Sequence, residues 1–480
     1  MNHALVLRSL GFLLLLEAAA MTIPLGVSLA YGESEYRALA LAALLTGAAG
    51  AAMYLGGRTS VEGFGYREGL AVAALGWVLV AAFGALPFYL GGMFASYVDA
   101  LFESTSGFTT TGATVLVDIE AQSRGLLFWR SFAHWLGGMG ILVLTLAITP
   151  IAAGSTKVFQ AESPGPAPTK LVPRIKDTAR ILYGVYFVLS LAEVVALSAL
   201  GMSLFESVTH TFGTMGTGGF SPRAESIGAY DSPAIEMTVV VFMLVAGTNF
   251  ALYYRFITGD RGAFWEDREF RAFLGIMLVG TALVTLNLRH LYYDSLLEAL
   301  RYASFQVASI LTTTGYTTAD FDRWPEFSRA FLLLLMFVGG SAGSTGGSVK
   351  VIRIILLVKY AVRELHRKLH PRAVMPLRLG RTTVPESVLS GILAFFVLYM
   401  AIFVVSTLLM TLEGLDLLSA AASVAATLGN IGPGLGLVGP AENYAFISAP
   451  GKLLLTLNMI LGRLEIYPLL TLLIRGFWRE

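Results

Sequence analysis

Residues Thr109 to Thr114 read TTTGAT, and nearly the same six letters, TTTGYT, return at 312–317. Each copy follows a short apolar run and precedes a much longer one, which is no place for an ordinary polar loop. Two further stretches line up on a central glycine, MGTGGFS at 215–221 and GNIGPGLG at 429–436, so the four glycines are Gly112, Gly218, Gly315 and Gly432. A single Gly/Thr-rich turn would merely connect two helices, since glycine is common in membrane segments. Four in register indicate an internal repeat.

The surrounding chain has the composition of a membrane protein. Of its 480 residues 55% are hydrophobic and 14% charged, and mean hydropathy is strongly positive. A run of ~20 apolar residues crosses a hydrocarbon core of ~30 Å. Ten stretches qualify: 10–31, 37–57, 70–92, 125–151, 181–201, 233–257, 272–289, 328–358, 387–412 and 450–475. Apolar character continues through Met21–Tyr31, too far for the h-region of a signal peptide. Cysteine is absent and the 6 histidines have no ligand spacing, which excludes disulfides, thiolate sites and a transition-metal centre. No cofactor is expected. The net charge of +1 gives no reason to invoke nucleic acid.

Basic residues set the orientation. With both termini cytoplasmic, most of the 33 Lys and Arg fall inside: Arg8, Arg58, Arg67, Lys157, Lys170, Arg174, Lys176, Arg180, Arg255, Arg261, Arg268, Arg271, the cluster from Lys350 to Arg381, Arg475 and Arg479. More than half of the 32 acidic residues fall outside, among them Asp99, Glu103, Glu206, Asp294, Asp320 and Asp322. A mouth so charged concentrates cations.

The runs 98–109, 204–215, 296–312 and 417–428 are too short or too polar to span, and suit helices that enter from outside and stop partway. Turns at that depth must be enclosed by protein or line water. Each helix C-terminus offers about half a negative charge. Glycine lets successive carbonyls turn toward one line, and rings of carbonyls replace a cation's hydration shell. The expected fold is all-α and polytopic, with ten transmembrane helices. An N-terminal pair (1–60) precedes four pseudosymmetric helix–pore-helix–helix repeats around one ion pore, at 61–155, 156–262, 263–375 and 376–480.

On these segments the chain resembles the Trk/Ktr/HKT superfamily of potassium transporters over nearly its whole length. The leading helix pair is similar to the TrkH type rather than the shorter KtrB type. The resemblance implies potassium uptake across a bacterial inner membrane. It implies a selectivity filter of backbone carbonyls at Thr110, Thr111 and Gly112; Gly216, Thr217 and Gly218; Thr313, Thr314 and Gly315; Asn430, Ile431 and Gly432. Serine at the first glycine goes with sodium permeation in that family, and here the residue is Gly112. The fourth segment lacks threonine, which leaves a less selective sodium/potassium pathway as the alternative. A homodimer and a cytoplasmic nucleotide-binding regulatory subunit (TrkA-like) are implied as partners. The basic segment 359–386 is the candidate contact, its charge also suiting anionic lipid.

Two features suggest a gate. The eighth span is interrupted by Gly339, Gly340, Ser341, Ala342, Gly343, Ser344, Thr345, Gly346, Gly347 and Ser348. Each glycine costs ~1 kcal/mol against alanine in a helix, so the span should break here. Arg463, in the last span, carries a charge that costs several kcal/mol unless solvated or paired. The resemblance implies an intramembrane gating loop for the first and an arginine barrier below the filter for the second. A salt bridge of Arg463 with a buried acid such as Glu193 is the structural alternative. Gly339 to Gly343 also matches GxSxG, but lacks the strand–turn–helix context of a hydrolase, with His134 and His210 the only candidate partners. Glu17 is expected to pair or to face headgroups, and Asn249 and Asn458 to bond across helices.

Overall fold

In the computed structural model of the chain, the structure is described for residues 1–57, 65–140, 175–373, 375–380 and 382–478. Arg58, Lys157, Lys170, Arg174, Arg381, Arg479 and the far half of the expected span 125–151 lie outside the described residues. The described chain is predominantly α-helical. Its only named strands are the antiparallel pair Arg378–Leu379 and Thr382–Thr383.

Among the described residues six helical segments are long and apolar enough to cross a membrane: His3–Ala30, Tyr36–Gly56, Tyr66–Leu90, Thr178–Ala199, Arg268–Leu291 and Glu386–Leu412. Pro233–Ala246 and Phe250–Ile257 make a seventh if taken as one span, but they meet at 90°. Other expected spans are also interrupted. Glu326–Leu335 stops well before Val351–Leu369 begins, and Ala449–Arg463 is separated from Tyr467–Leu472 by a turn in which Ile466 has φ 72°.

Four short helices lie between these: Tyr97–Phe108, Leu204–Gly216, Leu296–Leu311 and Leu417–Leu428. Their starts have a common local cause. Each N-cap is serine or aspartate (Ser96, Ser203, Ser295, Asp416), and the Ser96, Ser203 and Asp416 side chains accept first-turn amides. Acids follow in the first turn at Asp99, Glu206 and Glu298, where they complement the helix dipole. The buried core runs through these short helices, with Phe102, Phe108, Phe305 and Val424 all fully enclosed.

Polar groups in the apolar helices find different fates. Ser406 Oγ donates to Asn458 Oδ1 at 3.1 Å, an interhelical bond, whereas Asn249 instead caps its own helix by accepting from Ala251 N at 2.9 Å. Glu17 does not face headgroups: it is 1% exposed, packed near Gly84, and its carboxylate is hydrogen-bonded to no described residue.

Candidate functional site

Each short helix ends in the same strained turn. Thr110, Thr217, Thr313 and Asn430 have φ of 55°, 55°, 58° and 53°, a left-handed conformation that β-branched threonine strongly disfavours. Two residues later comes a glycine at positive φ: Gly112 (82°), Gly219 (78°), Gly315 (82°) and Gly432 (99°). The residue between them bonds back into the helix in every case. Thr111 N donates to Ser106 O, Gly218 N to Gly213 O, Thr314 N to Ser309 O and Ile431 N to Ala426 O, all at 2.8 Å.

This geometry corrects the register of the second turn. It is Thr217-Gly218-Gly219, one residue later than alignment on Gly218 expects. Gly216 closes the preceding helix and corresponds to Thr109, Thr312 and Gly429, the C-caps of the other three. The tandem Gly218-Gly219 leaves either alignment open to a count of residues. The bond to Gly213 O selects the second.

The four turns close on one another in order. A Cβ at Gly112 would collide with Gly218 O, at Gly219 with Thr314 O, at Gly315 with Ile431 O, and at Gly432 with Thr111 O. Each glycine is thus required by the carbonyl of the next turn, and the fourth returns to the first. Side chains reinforce the ring. Thr109 and Thr111 hydroxyls pair at 2.8 Å, as do Thr312 and Thr314, and Asn430 Nδ2 donates to Thr111 Oγ1 at 3.0 Å.

On one side the ring opens to a cavity of about 130 Å³ lined by Gly112, Gly219, Gly315, Gly432 and Arg130 among others. The expected acidic mouth is largely neutralised. Glu103 is fully buried and paired with Arg130 at 2.6 Å. Glu206 pairs with Arg223, Asp320 with Arg323, Asp322 with Arg329 and Asp99 with Lys452.

The opposite side is closed by the glycine-rich loop between Leu335 and Val351. Gly347 N donates to Thr313 Oγ1 at 2.6 Å, directly against the third turn. The loop dovetails with the break at 247–249. Ser341 N donates to Gly247 O at 2.9 Å and Thr345 Oγ1 to Ala246 O at 3.1 Å, while Phe250 N donates to Gly343 O at 3.1 Å. Two interrupted helices therefore satisfy each other's orphan groups, which is how irregular backbone survives in an apolar interior. Lys350, 2% exposed, donates to Gly346 O.

Arg463 binds this loop to a neighbouring helix. Its guanidinium donates to Thr345 O and Gly138 O, each at 2.8 Å, and to Gly137 O. It thereby joins the loop to the C-terminal end of helix Arg124–Gly138, where exposed carbonyls attract a cation. The salt bridge to Glu193 is replaced by these carbonyls: Glu193 is buried beside Thr214 instead. Glu465 pairs with Arg353.

One carboxylate ties the middle of the loop to the first turn of the helix that follows it. Glu269 Oε1 accepts from Ala342 N at 2.8 Å and Ile352 N at 2.9 Å. Glu269→Ala is expected to destabilise the protein by about 2 kcal/mol, because one buried and one half-buried amide lose their acceptor. Thermal unfolding in detergent checks this, and an unchanged midpoint would mean water replaces the carboxylate without cost.

Sequence reasoning missed the partnership of Glu103 with Arg130, the clasp of Glu269, and His134, whose Nδ1 is bonded to Gly107 O at 2.7 Å and whose Nε2 accepts from Phe220 N at 3.2 Å. Charges inside otherwise apolar helices were the available signal. His134 and His210 both have their ring nitrogens engaged away from Ser341, so no hydrolytic pair forms with it. Among the described residues no cluster of three or more His, Asp or Glu could hold a metal.

Apolar helices long enough to cross a membrane, together with four short helices whose end turns pack into a ring beside a cavity, suit a membrane transport protein. The family model for TrkH, cation transport protein, matches residues 43–477, and the chain belongs to that family. It is 41% identical over 485 residues to the Trk system potassium uptake protein TrkH of Salmonella typhimurium, with 100% of both chains covered. It is 34% identical over 474 residues to the potassium uptake protein TrkG of Escherichia coli, covering 98% of this chain and 97% of that one. Its fold is similar to the crystal structure of the potassium transporter TrkH from Vibrio parahaemolyticus, with TM-score 0.90, 38% identity and 100% of both chains covered. The chain is a transporter and not an enzyme, and the GxSxG match is a coincidence of a glycine- and serine-rich loop.

Proposed function

We propose that this protein takes up potassium across the bacterial inner membrane, through the ring of four turns, as the pore-forming subunit of a Trk-type system. The observation that carries the reading is the ring of paired positive-φ residues, Thr110 with Gly112, Thr217 with Gly219, Thr313 with Gly315 and Asn430 with Gly432. Strain of ~1–3 kcal/mol per residue is kept where function needs it. Here it turns successive carbonyls toward one axis, where they replace the hydration shell of a bare cation. The filter is then Thr110-Thr111-Gly112, Thr217-Gly218-Gly219, Thr313-Thr314-Gly315 and Asn430-Ile431-Gly432.

The four short helices act as pore helices of four repeats (61–155, 156–262, 263–375 and 376–480) that follow the N-terminal pair 1–60, with ten spans and both termini cytoplasmic. The loop 339–348 and Arg463 form the gate in its closed arrangement. A cytoplasmic nucleotide-binding subunit, contacting 359–386, would open it, and the subunit would work as a homodimer. The family and its potassium-transporting relatives support the potassium reading; the hydrogen bonds of Arg463 support the gate.

The test is cation flux into liposomes carrying the purified protein, with the regulatory partner added in a parallel series. Potassium and rubidium are expected to pass, with sodium and lithium at least about tenfold slower, the size of one modest difference in coordination energy. Equal flux of all four ions would favour the less selective pathway, whose support is the Asn430-Ile431 pair where the first and third turns have threonines.

A further inference from the structure

We propose that Glu103 sets the cation affinity of the mouth by neutralising Arg130, a guanidinium buried at the edge of the ring. The proposal rests on the reading of the four turns as the ion path. Arg130 lines the cavity beside the ring glycines and is 2% exposed. A guanidinium stays protonated, and from a low-dielectric wall its field on a nearby cation is weakly screened. Left alone, it would repel the ions that reach the ring.

Glu103, 0% exposed, accepts from Arg130 Nε at 2.6 Å. The same carboxylate accepts from Thr114 Oγ1 at 2.8 Å and Val115 N at 3.0 Å. Arg130 in turn donates to Ser221 O at 3.0 Å and lies 3.5 Å over the Phe220 ring. The pair therefore ties the segment after the first turn to the segment after the second.

Bracing by itself needs no charge. In the second short helix His210 is bonded through Nε2 to Ser221 Oγ at 3.0 Å, and in the third Gln306 donates to Thr318 Oγ1 at 3.4 Å. These are related contacts between a short helix and the segment after its turn, made by an imidazole and an amide. What distinguishes the first repeat is the buried guanidinium, and the negative charge of Glu103 answers it.

Rubidium uptake by the full-length protein reconstituted together with its regulatory partner, read as KM and maximal rate, tests this. The wild type comes first: without saturable, selective uptake the ion-path reading itself fails, independently of Glu103. Given that uptake, Glu103→Gln is expected to raise KM about tenfold, with the maximal rate changed less than about threefold, since a weakly screened charge at this range shifts binding by that order. The double variant Glu103→Gln/Arg130→Gln, with no unpaired charge, is expected to restore KM to within about threefold of wild type. Thr114→Val, which removes a brace and leaves the charge pair, is expected to keep the wild-type KM. An unmoved KM in Glu103→Gln, a double variant that fails to restore it, or an equal rise in Thr114→Val overturns the proposal. If Glu103→Gln does not fold, the double variant decides: a wild-type KM upholds neutralisation and a raised one overturns it.

Discussion

Gly219→Ala is expected to cut rubidium uptake by the reconstituted protein roughly a hundredfold, and to do so more severely than Gly218→Ala. Two costs add at Gly219. Its φ of 78° is left-handed, which costs an alanine about 1–2 kcal/mol. Its new Cβ would also press on the Thr314 carbonyl oxygen, a backbone atom of the neighbouring turn that has little room to move. Each 1.4 kcal/mol is about tenfold, so the two costs together correspond to a loss of about a hundredfold. At Gly218 the Cβ would meet the His134 ring, a side chain, and φ is not positive, so a loss of about tenfold is expected there. The reverse order of severity would return the register to Gly218 and undo the equivalence of the four turns. Folding of both variants is checked by size-exclusion profile and thermal unfolding before flux is compared.

Arg463→Gln is expected to raise flux without the regulatory partner by about tenfold or more, because hydrogen bonds from a charged donor contribute about 1.5–3 kcal/mol each. The guanidinium holds Thr345 O of the loop and the carbonyls of Gly137 and Gly138 at once. Glutamine cannot span all three and carries no charge. Removing the positive charge also lowers the barrier that a passing cation meets, so both effects act in the same direction. A fall in flux, with the protein still folded, would make Arg463 a structural clamp and remove it from the gate.

Much of the architecture is local and therefore legible. The short helices fall within a residue or two of the runs 98–109, 204–215, 296–312 and 417–428, because N-cap serine or aspartate, apolar content and a terminal glycine are all read along the chain. The interruption around 339–348 follows from glycine content in the same way. Expected spans 233–257 and 450–475 gave less warning of their breaks. The bend at 247–249 is stabilised by Ser341 and Thr345, which donate to carbonyls almost a hundred positions earlier in the chain.

What the sequence by itself determined is the class of protein, the four turns as repeated objects, and the two elements read as a gate. These depend on composition and on short-range conformational preference. The tertiary structure alone decided which glycine serves the second turn, since Gly218 faces the His134 ring whereas Gly219, at positive φ, faces the Thr314 carbonyl of the next turn. It decided that Glu103 answers Arg130 rather than facing the mouth, and that Arg463 binds carbonyls rather than Glu193. Each of these is a choice among partners distant in sequence. Burial settles such choices by requiring every charge and every broken helix end to find a complement, and that requirement exists only once the segments are packed together.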